Sequence, residues 1–330
     1  MTAVILAGDV GGTKTHLGLY RVDGNELAPL RDQLYVTRDY PSLQAVVADF
    51  LKGASAIKAA CFGVPGPVVD GVSQATNVTW DMREAEIAAA IKGTPATRLI
   101  NDLQATAYGV LRLDDSQFAV LQRGEKRGVG ENMAVVAAGT GLGEAALIAM
   151  PGGGYHAIAS EGGHCDFAPR GREQERLLEF LGREFDHVSF ERVLSGPGLH
   201  NIYRFLLAQQ PDGEPEWLTQ RMLSEDPSAL ISAAALQGRD PRCVHALEIF
   251  VAIYGAEAAN VMLKVLALGG VYLGGGIAPK ILPFLERGGF VSAFVNKGRF
   301  KDLLQKIEIR VSLNEAAALL GAAHIAASIL

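Results

Sequence analysis

Cysteine is scarce in this chain of 330 residues: Cys61, Cys165 and Cys243 are the only three, and they lie far apart. An odd number of separated cysteines provides no CxxC pair, so the sequence predicts neither a disulfide framework nor a zinc ribbon and is typical of reduced thiols. Basic charge is also in short supply, since 30 lysines and arginines face 36 aspartates and glutamates and leave a net charge of −6. This balance argues against nucleic acid or an anionic membrane as a partner.

Long apolar runs are missing as well. The first ten residues, MTAVILAGDV, contain no basic region, and an aspartate ends their apolar stretch, so we expect no signal peptide. Lys264 and several glycines interrupt the apolar residues at 261–277, so we expect no membrane span there. Hydrophobic residues at 49% and charged residues at 20% are typical of a soluble globular protein. The composition therefore predicts a cytoplasmic protein, and the length predicts two domains.

Familiar catalytic signatures are absent too. Neither GxSxG nor HExxH occurs, so a serine hydrolase and a zinc protease have no support. Residues 8–15 read GDVGGTKT, which approaches the P-loop pattern, but Thr13 precedes Lys14 where that pattern requires glycine. The following segment, 15–22, predicts a strand, whereas a P-loop or a dinucleotide fingerprint leads into a helix. The stretch therefore predicts a glycine hairpin between two strands.

The predicted elements alternate in a way that indicates an α/β fold. Residues 3–36 predict three strands, with Asp23-Gly24 as a hairpin turn. The first half continues with predicted strands at 57–68 and 97–102 and predicted helices at 42–53, 81–93 and 104–113, with Ser42 and Asp81 as N-caps of the first two helices. The second half continues with predicted helices at 171–184, 198–209, 226–238, 240–268 and 315–329, the last capped by Asn314, and predicted strands at 271–279 and 308–313.

The second half of the chain also repeats the opening pattern. Residues 133–150 predict a strand, a glycine turn and another strand, as residues 3–20 do, and Thr140 stands among glycines as Thr13 does. This weak internal repeat predicts two related α/β lobes, each of which presents a phosphate-binding hairpin to a shared cleft.

Seven motifs occur in the order seen in bacterial glucokinases, which this chain resembles over nearly its whole length: GDVGGT at 8–13, PGP at 65–67, IND at 100–102, GTGLG at 139–143, EGGH at 161–164, ERVLSGPGL at 191–199 and GGGI at 274–277. These enzymes belong to the sugar-kinase/Hsp70/actin superfamily. The resemblance implies an α/β fold with two RNase H-like (actin-like ATPase) lobes flanking a central cleft. Residues 1–113 and 314–330 would form the small lobe, and residues 114–313 the large one.

Two departures from the family pattern flank these motifs. Lys14-Thr15-His16 stands where relatives commonly have Asn-Ala after GGT, and Ala138-Gly139 replaces the usual Pro-Gly. The related ROK group carries a CxCGxxGC zinc run after its histidine, whereas only Cys165 follows His164 here, so we expect no structural zinc. We also expect no sugar-responsive repressor, because no helix-turn-helix extension precedes residue 3.

The resemblance implies ATP-dependent phosphorylation of D-glucose to glucose 6-phosphate, the first step of glucose use in glycolysis. Asp102 would be the general base that accepts the proton of the 6-hydroxyl, although its position also suits a simple cap for the helix predicted near 104. By resemblance Asn101 and Asp102 hold the distal hydroxyls, Glu161 holds the middle ones, and His164 with Glu191 holds the anomeric end.

The glycine-rich turns are the predicted nucleotide site. Glycines let backbone N–H groups approach phosphate oxygens, and the threonine hydroxyls add donors. Asp9 would reach Mg²⁺ through water. The predicted ATP-binding residues are Gly8, Asp9, Val10, Gly11, Gly12, Thr13, Gly139, Thr140, Gly141, Gly275 and Gly276, with the last two on the adenosine side.

Several alternatives remain open at this point. The chain could phosphorylate another hexose or use polyphosphate or ADP as the donor. From a different class, it could be a catalytically silent sugar sensor or an actin-like ATPase scaffold, although a scaffold needs no carboxylate, amide and histidine set. The resemblance implies a homodimer with glucose and ATP as its small-molecule partners.

Overall fold

The computed structural model describes residues 3–24, 26–53, 56–74, 78–93, 95–125, 130–210 and 213–330. These residues form strands β1 (Ala3–Val10), β2 (Lys14–Asp23), β3 (Glu26–Val36), β4 (Ala59–Val64), β5 (Val68–Val69), β6 (Val72–Gln74), β7 (Asp81–Arg83), β8 (Ala96–Asn101), β9 (Phe118–Gln122), β10 (Met133–Ala138), β11 (Leu142–Ala149), β12 (Tyr155–Ser160), β13 (Val271–Gly274) and β14 (Ile309–Ser312). Their helices are α1 (Leu43–Phe50), α2 (Glu84–Ala90), α3 (Asp102–Val110), α4 (Gly171–Leu181), α5 (Gly196–Gln209), α6 (Glu216–Met222), α7 (Pro227–Leu236), α8 (Pro241–Val265), α9 (Leu282–Leu285), α10 (Gly289–Val295), α11 (Lys301–Leu304) and α12 (Ala317–Ser328).

The chain divides into two compact units. The first comprises Met1–Gln117, Ala157–Ala159 and Asn314–Leu330, and the second comprises Phe118–His156 and Ser160–Leu313. The C-terminal helix α12 therefore belongs to the same unit as the N-terminal strands.

Each unit is built on a mixed sheet. In the first unit the strand order is β3-β2-β1-β4-β8, with β1 antiparallel to β2 and parallel to β4. In the second unit the order is β11-β10-β13-β14-β9, with β10 antiparallel to β11 and parallel to β13. Each sheet thus starts from a hairpin and continues through parallel strands, so the predicted α/β class and the internal repeat are both found in the structure.

The five-stranded sheet of the first unit is buried on both faces. Along β1, Leu6 and Val10 pack into one apolar cluster, whereas Ile5 and Ala7 pack into another on the opposite face. Because successive side chains of a strand alternate between faces, a strand covered on both sides must be apolar at every position, as AVILA is.

The face of this sheet that holds Ile5 and Ala7 is covered by α3 and α12, which approach each other closely. A Cβ atom at Gly109 would overlap the carbonyl oxygen of Ala317, and one at Gly321 would overlap that of Ala105. These glycines allow the two helix backbones to come together, and α3 is the helix that Asp102 begins.

We expect Gly321→Ala to destabilise the fold. The added methyl group meets backbone atoms rather than a movable side chain. We therefore expect overpacking to destabilise the protein by an amount near the upper end of the usual range of about 1–3 kcal/mol. Higher helix propensity returns only about 1 kcal/mol, which leaves a net loss of about 2 kcal/mol in the free energy of unfolding. Urea denaturation measures this loss. Gly152→Ala, at a site where a Cβ meets nothing within 4 Å, is the matched control. Equal stability of the two variants would contradict the close-packing role.

The longest helix, α8, has the length and apolar composition of a membrane span, but 78% of its most apolar window is buried inside the protein. It packs on α5, α7 and α10 and supplies much of the core of the second unit. Its burial is that of a core helix.

Four predicted helix starts differ from the structure. The helix predicted at 81–93 begins at Glu84, because Asp81–Arg83 pairs with β6 as strand β7 and places Met82 in the core. The helix predicted from 104 already begins at Asp102. The helix predicted from 198 already begins at Gly196, after the Ser195 N-cap. Asn314 does not cap α12 directly: its Oδ1 accepts from Ala316 N at 2.8 Å, and regular helix begins at Ala317. Tertiary pairing in the first case and local capping in the others override the spacing of apolar residues.

Candidate active site

The glycine turn of the first unit connects two antiparallel strands. Strand β1 ends at Val10 and β2 begins at Lys14, so the strand-to-strand prediction for GDVGGTKT is confirmed. Gly11 N donates to Lys14 O at 2.9 Å and closes the turn, whose Gly12 and Thr13 are exposed. Gly8 and Val10 are buried within β1.

Thr37, which the sequence analysis did not single out, braces this turn. Its backbone N–H donates to Thr13 O at 3.0 Å and its hydroxyl donates to Gly11 O at 2.8 Å. The buried Thr15 hydroxyl lies 3.0 Å from that of Thr37. Thr37 follows β3, so only the pairing of β2 with β3 brings it to the turn.

Asp9 is the acidic residue nearest to this turn. It is half-buried on β1, directly across the ladder from His16 on β2. Burial raises the pKa of Asp9 to about 6, although the neighbouring His16 lowers it. His16 in turn contacts Asp32 on β3, with 2.7 Å between Nε2 and Oδ2.

Asn101 caps the helix that Asp102 begins. Its Oδ1 accepts from Leu103 N and Gln104 N, and the Gln104 side chain accepts from Asn101 N, which completes a capping box. Its Nδ2 donates to Gly66 O at 3.2 Å. Asn101 is 5% exposed, and its side-chain amide already makes hydrogen bonds within the protein. Its predicted contact with a sugar hydroxyl would use the donor or acceptor positions that remain on that amide.

Asp102 therefore occupies the first helical position rather than the cap. It is half-buried, and its Oδ1 accepts from Leu103 N at 2.8 Å. The partial positive charge of a helix N-terminus stabilises a carboxylate there. The N-cap of α3 is thus Asn101, and Asp102 adds one acceptor for the first turn of the helix.

Asp9 and Asp102 lie near the carboxyl ends of β1 and β8, two parallel strands that flank β4. In the sheet, Gly63 on β4 is the partner of Asp9 on β1 and of Ile100 on β8. A Cβ at Gly63 would stand 3.5 Å from the Cα of Asp102. This sheet edge is where α/β proteins commonly bind ligands.

In the second unit, the turn between β10 and β11 is the counterpart of the first glycine turn. Gly139 N donates to Gly141 O, and Gly139 O accepts from Gly196 N at the start of α5, both at 2.8 Å. Thr140 is exposed at the tip. A Cβ at Gly139 would meet nothing within 4 Å, whereas one at Gly141 would lie 2.5 Å from Glu191 Oε2.

Glu191 supports this turn directly. Its Oε2 accepts from Leu142 N at 2.9 Å, and its backbone carbonyl accepts from the hydroxyl of Ser195, the N-cap of α5. One residue thus links the glycine turn to the N-terminus of α5. The motif ERVLSGPGL marked Glu191 in the sequence, but its hydrogen bond to Leu142 N could not be predicted from it.

The EGGH segment forms a short turn that presses on β11. Gly162–His164 is one turn of 3-10 helix, and Glu161 and His164 are exposed. A Cβ at Gly162 would overlap the Glu144 carboxyl group, and one at Gly163 would overlap Leu142 O. The two glycines therefore allow the turn to rest on the strand that follows the Gly139–Gly141 turn.

The third glycine cluster reaches the same region of the second unit. Gly275 has φ +75°, and a Cβ there would overlap Ala138 O at the end of β10. Ile277 N also donates to Ala138 O at 3.2 Å. Gly275 and Gly276 thus lie beside the Gly139–Gly141 turn, as a site for one nucleotide requires.

Within the described ranges, no group of three or more His, Cys, Asp or Glu side chains is arranged to hold a metal ion. Asp9 is the carboxylate within the GDVGGT motif that forms the first glycine turn. Mg²⁺ is usually bound by one or two carboxylates together with substrate phosphates, so this turn fits an ion that binds with a nucleotide.

Comparisons with known proteins point to one family. The Glucokinase family profile matches residues 6–329. A protein of Nostoc sp. (strain PCC 7120) named Glucokinase is 40% identical, with 98% of this chain and 99% of that protein covered. A glucokinase structure from an Antarctic psychrotroph is 30% identical, with a TM-score of 0.83 over 98% of this chain and 99% of that one.

A more distant structure shares the fold. The ROK family glucokinase of Streptomyces griseus, solved with glucose and AMPPNP, is 21% identical, with a TM-score of 0.67 over 99% of this chain and 100% of that one. The match of the family profile over nearly the whole chain and the identity to full-length relatives agree with the seven motifs. The chain belongs to the glucokinase family.

Proposed function

We propose that this chain transfers the γ-phosphoryl group of ATP to the 6-hydroxyl of D-glucose, with Asp102 as the general base. The proposal rests mainly on the start of α3, where Asn101 is the N-cap and Asp102 is the next residue. Asp102 therefore lies at the sheet edge that also holds Asp9. Family membership supports the same reaction.

In the proposed reaction, the sugar O6 attacks the γ-phosphorus as the bond from that phosphorus to the β,γ-bridging oxygen breaks. ADP leaves with the electron pair of the broken bond, and the hydroxyl proton passes to the Asp102 carboxylate. The helix N-terminus beneath Asp102 favours its anionic form, which can accept that proton.

Two sets of residues would hold the substrates. Asn101, Asp102, Glu161, His164 and Glu191 would bind the sugar hydroxyls. The turns at Gly11–Thr13 and Gly139–Gly141 would bind the phosphates through backbone N–H groups and threonine hydroxyls, with Gly275 and Gly276 on the adenosine side. Asp9 would hold Mg²⁺ through water, and the ion would supply positive charge that neutralises the phosphates.

A coupled assay tests the proposal. We expect ADP production with ATP and glucose, and much lower kcat/KM with mannose, fructose or N-acetylglucosamine, because a site that pairs each hydroxyl leaves polar groups unpaired with the wrong sugar. ADP and polyphosphate as donors complete the panel. A preference for another hexose or another phosphoryl donor would indicate a sugar kinase with a substrate or donor other than those proposed. Calorimetry without sugar binding would favour a scaffold, and sugar binding without turnover would favour a sensor.

The bracing of the first glycine turn makes a separate prediction. Thr37→Val keeps the shape of the side chain but removes the hydroxyl that bonds Gly11 O, so the turn loses about 0.5–1.5 kcal/mol of support. We expect KM for ATP to rise roughly threefold to tenfold while KM for glucose stays unchanged. Thr219→Val, exposed on α6, is the control. If Thr37→Val keeps the wild-type KM for ATP, the result would contradict the assignment of this turn to the nucleotide site.

We propose further that the protein is a cytoplasmic homodimer. Cys61, Cys165 and Cys243 are free, and Cys61 and Cys243 are buried, which supports a reducing compartment. Light scattering coupled to size-exclusion chromatography determines the oligomeric state.

A further inference from the structure

The second unit contains a buried pair of acidic side chains that the proposed reaction does not use. Glu144 on β11 is 3% exposed and Glu257 on α8 is 0% exposed. Glu144 is the ladder partner of Val136, and Tyr254 of α8 donates its hydroxyl to Val136 O at 3.0 Å, which sets α8 over this part of the sheet. The two carboxyl groups lie close enough to interact, and the charge of Glu257 raises the pKa of Glu144. Two carboxylates that face each other in a buried site repel strongly, so the pair favours keeping one proton.

The surroundings of the pair are asymmetric. Asn260 Nδ2 donates to Glu257 Oε2 at 2.6 Å, and Lys264 Nζ lies 3.7 Å from Glu257 Oε1. Lys297 donates a hydrogen bond to the Asn260 side chain and interacts electrostatically with Glu257. Arg170 donates to two backbone carbonyls and also interacts electrostatically with Glu257. The cations and the amide thus gather around Glu257. This arrangement favours Glu257 as the ionised member and Glu144 as the protonated one.

Glu144 also forms the base of the EGGH turn. Its carboxyl group fills the space that a side chain at Gly162 would need. The hydroxyl of Ser160 donates to Glu144 O at 3.2 Å and accepts from Gly162 N at 3.2 Å. Both the side chain and the backbone of Glu144 therefore support the turn that carries Glu161 and His164.

We propose that Glu144 and Glu257 share one proton and that this singly charged pair positions the Glu161–His164 turn for sugar binding. The inference rests on the proposed function, in which that turn binds glucose hydroxyls. When the proton leaves, two carboxylates face each other in a buried site, where repulsion between like charges is strong. Repulsion then displaces Glu144 from Glu257, and because its carboxyl group already contacts the backbone beneath Gly162, that displacement shifts the Glu161–His164 turn.

The direction of the pH dependence follows from the same pair. Burial, together with the charge of Glu257, raises the pKa of Glu144 to about 8, so the supporting proton is present below that pH and is lost above it. Lys297 loses its proton in the same range, because burial lowers its pKa to about 8. The other ionisable groups facing the pair are Lys264 and Arg170, and Glu161 and His164 lie on the exposed side of the turn.

Glucose affinity measured by calorimetry without nucleotide, from pH 6.5 to 9.5, tests the positioning role. For the wild-type protein we expect the Kd to rise above pH 8, by up to about tenfold per pH unit. Glu144→Gln can still donate a hydrogen bond to Glu257 but cannot ionise, so its Kd should stay level across this range although Lys297 still titrates. Glu286→Gln, exposed after α9, is the matched control and should keep the wild-type profile.

Two results would overturn the inference: a wild-type Kd that does not change with pH, or an alkaline rise that persists in Glu144→Gln. If that variant does not fold, Glu257→Gln carries the same test, because it also leaves at most one charge in the pair. Thermal denaturation without sugar tests the shared proton separately. Since the folded pKa of Glu144 lies above its ordinary value, wild-type stability should fall as pH rises towards 8, and Glu144→Gln should lack this slope. A wild-type protein that shows the slope but binds no glucose would refute the proposed function instead.

Discussion

Replacing Asp102 with asparagine is expected to lower kcat by about 10²–10⁴-fold, the usual contribution of a positioned general base. Asparagine keeps the size of the side chain and an oxygen that can accept from Leu103 N, so α3 should begin where it does now. It cannot accept the proton of the 6-hydroxyl, which must then leave to water. Asp102→Ala should have the same effect on turnover. Glucose binding should persist in both variants.

Steady-state kinetics with ATP and glucose, together with calorimetry of glucose alone, measures the two effects separately. Asp186→Asn, an exposed aspartate of the second unit, is the control and should match the wild type. A kcat for Asp102→Asn within tenfold of the wild-type value would remove Asp102 from the role of base. Loss of glucose binding with normal stability would show instead that Asp102 acts mainly on the ground state.

Replacing Glu191 with alanine should have the second-largest effect, a fall of about 10²–10³-fold in kcat/KM. The variant loses the bond that supports Leu142 N and the predicted bond at the anomeric end of the sugar. Hydrogen bonds to a charged group are each worth about 1.5–3 kcal/mol, and two at the lower end give this factor. Glu191→Gln keeps an acceptor for Leu142 N and should lose only about tenfold.

KM for ATP distinguishes the two contributions of Glu191. If Glu191 supports the Gly139–Gly141 turn, KM for ATP rises in Glu191→Ala and much less in Glu191→Gln. A residue that only binds sugar would leave it unchanged in both, and that result would contradict the supporting role. Glu175→Ala, an exposed change on α4, is the control.

Much of the fold could be predicted because its signals are local. The continuous apolar run of β1, the Ser42 N-cap of α1 and the proline starts of α7 and α8 each depend on neighbours within a few residues. The largest failure occurred where a distant partner decides the conformation, whereas the smaller offsets at helix starts came from local caps. Met82 entered the core as part of β7 because β6 was there to pair with it, although its segment resembles the start of a helix.

The candidate site divides in the same way. Its chemically distinctive residues, such as Asp102 and Glu191, stand in motifs that a single sequence displays. The residues that hold those motifs in place do not, because Thr37 and Glu144 belong to no motif and act across the sheets. A glutamate within a strand and a threonine just after one are common, so neither residue stands out in the sequence.

The sequence by itself determined the α/β class, the main alternation of strands and helices and the two glycine turns. It also determined that GDVGGTKT leads into a strand, since alternation of apolar residues is a property of the segment alone. Only the tertiary structure decided that Thr37 bonds the first glycine turn, that Glu191 bonds the second, and that Glu144 lies near Glu257 beneath the EGGH turn. The physical reason is that these outcomes depend on hydrogen-bond geometry and on burial between segments far apart in the chain, and neither is encoded in local spacing.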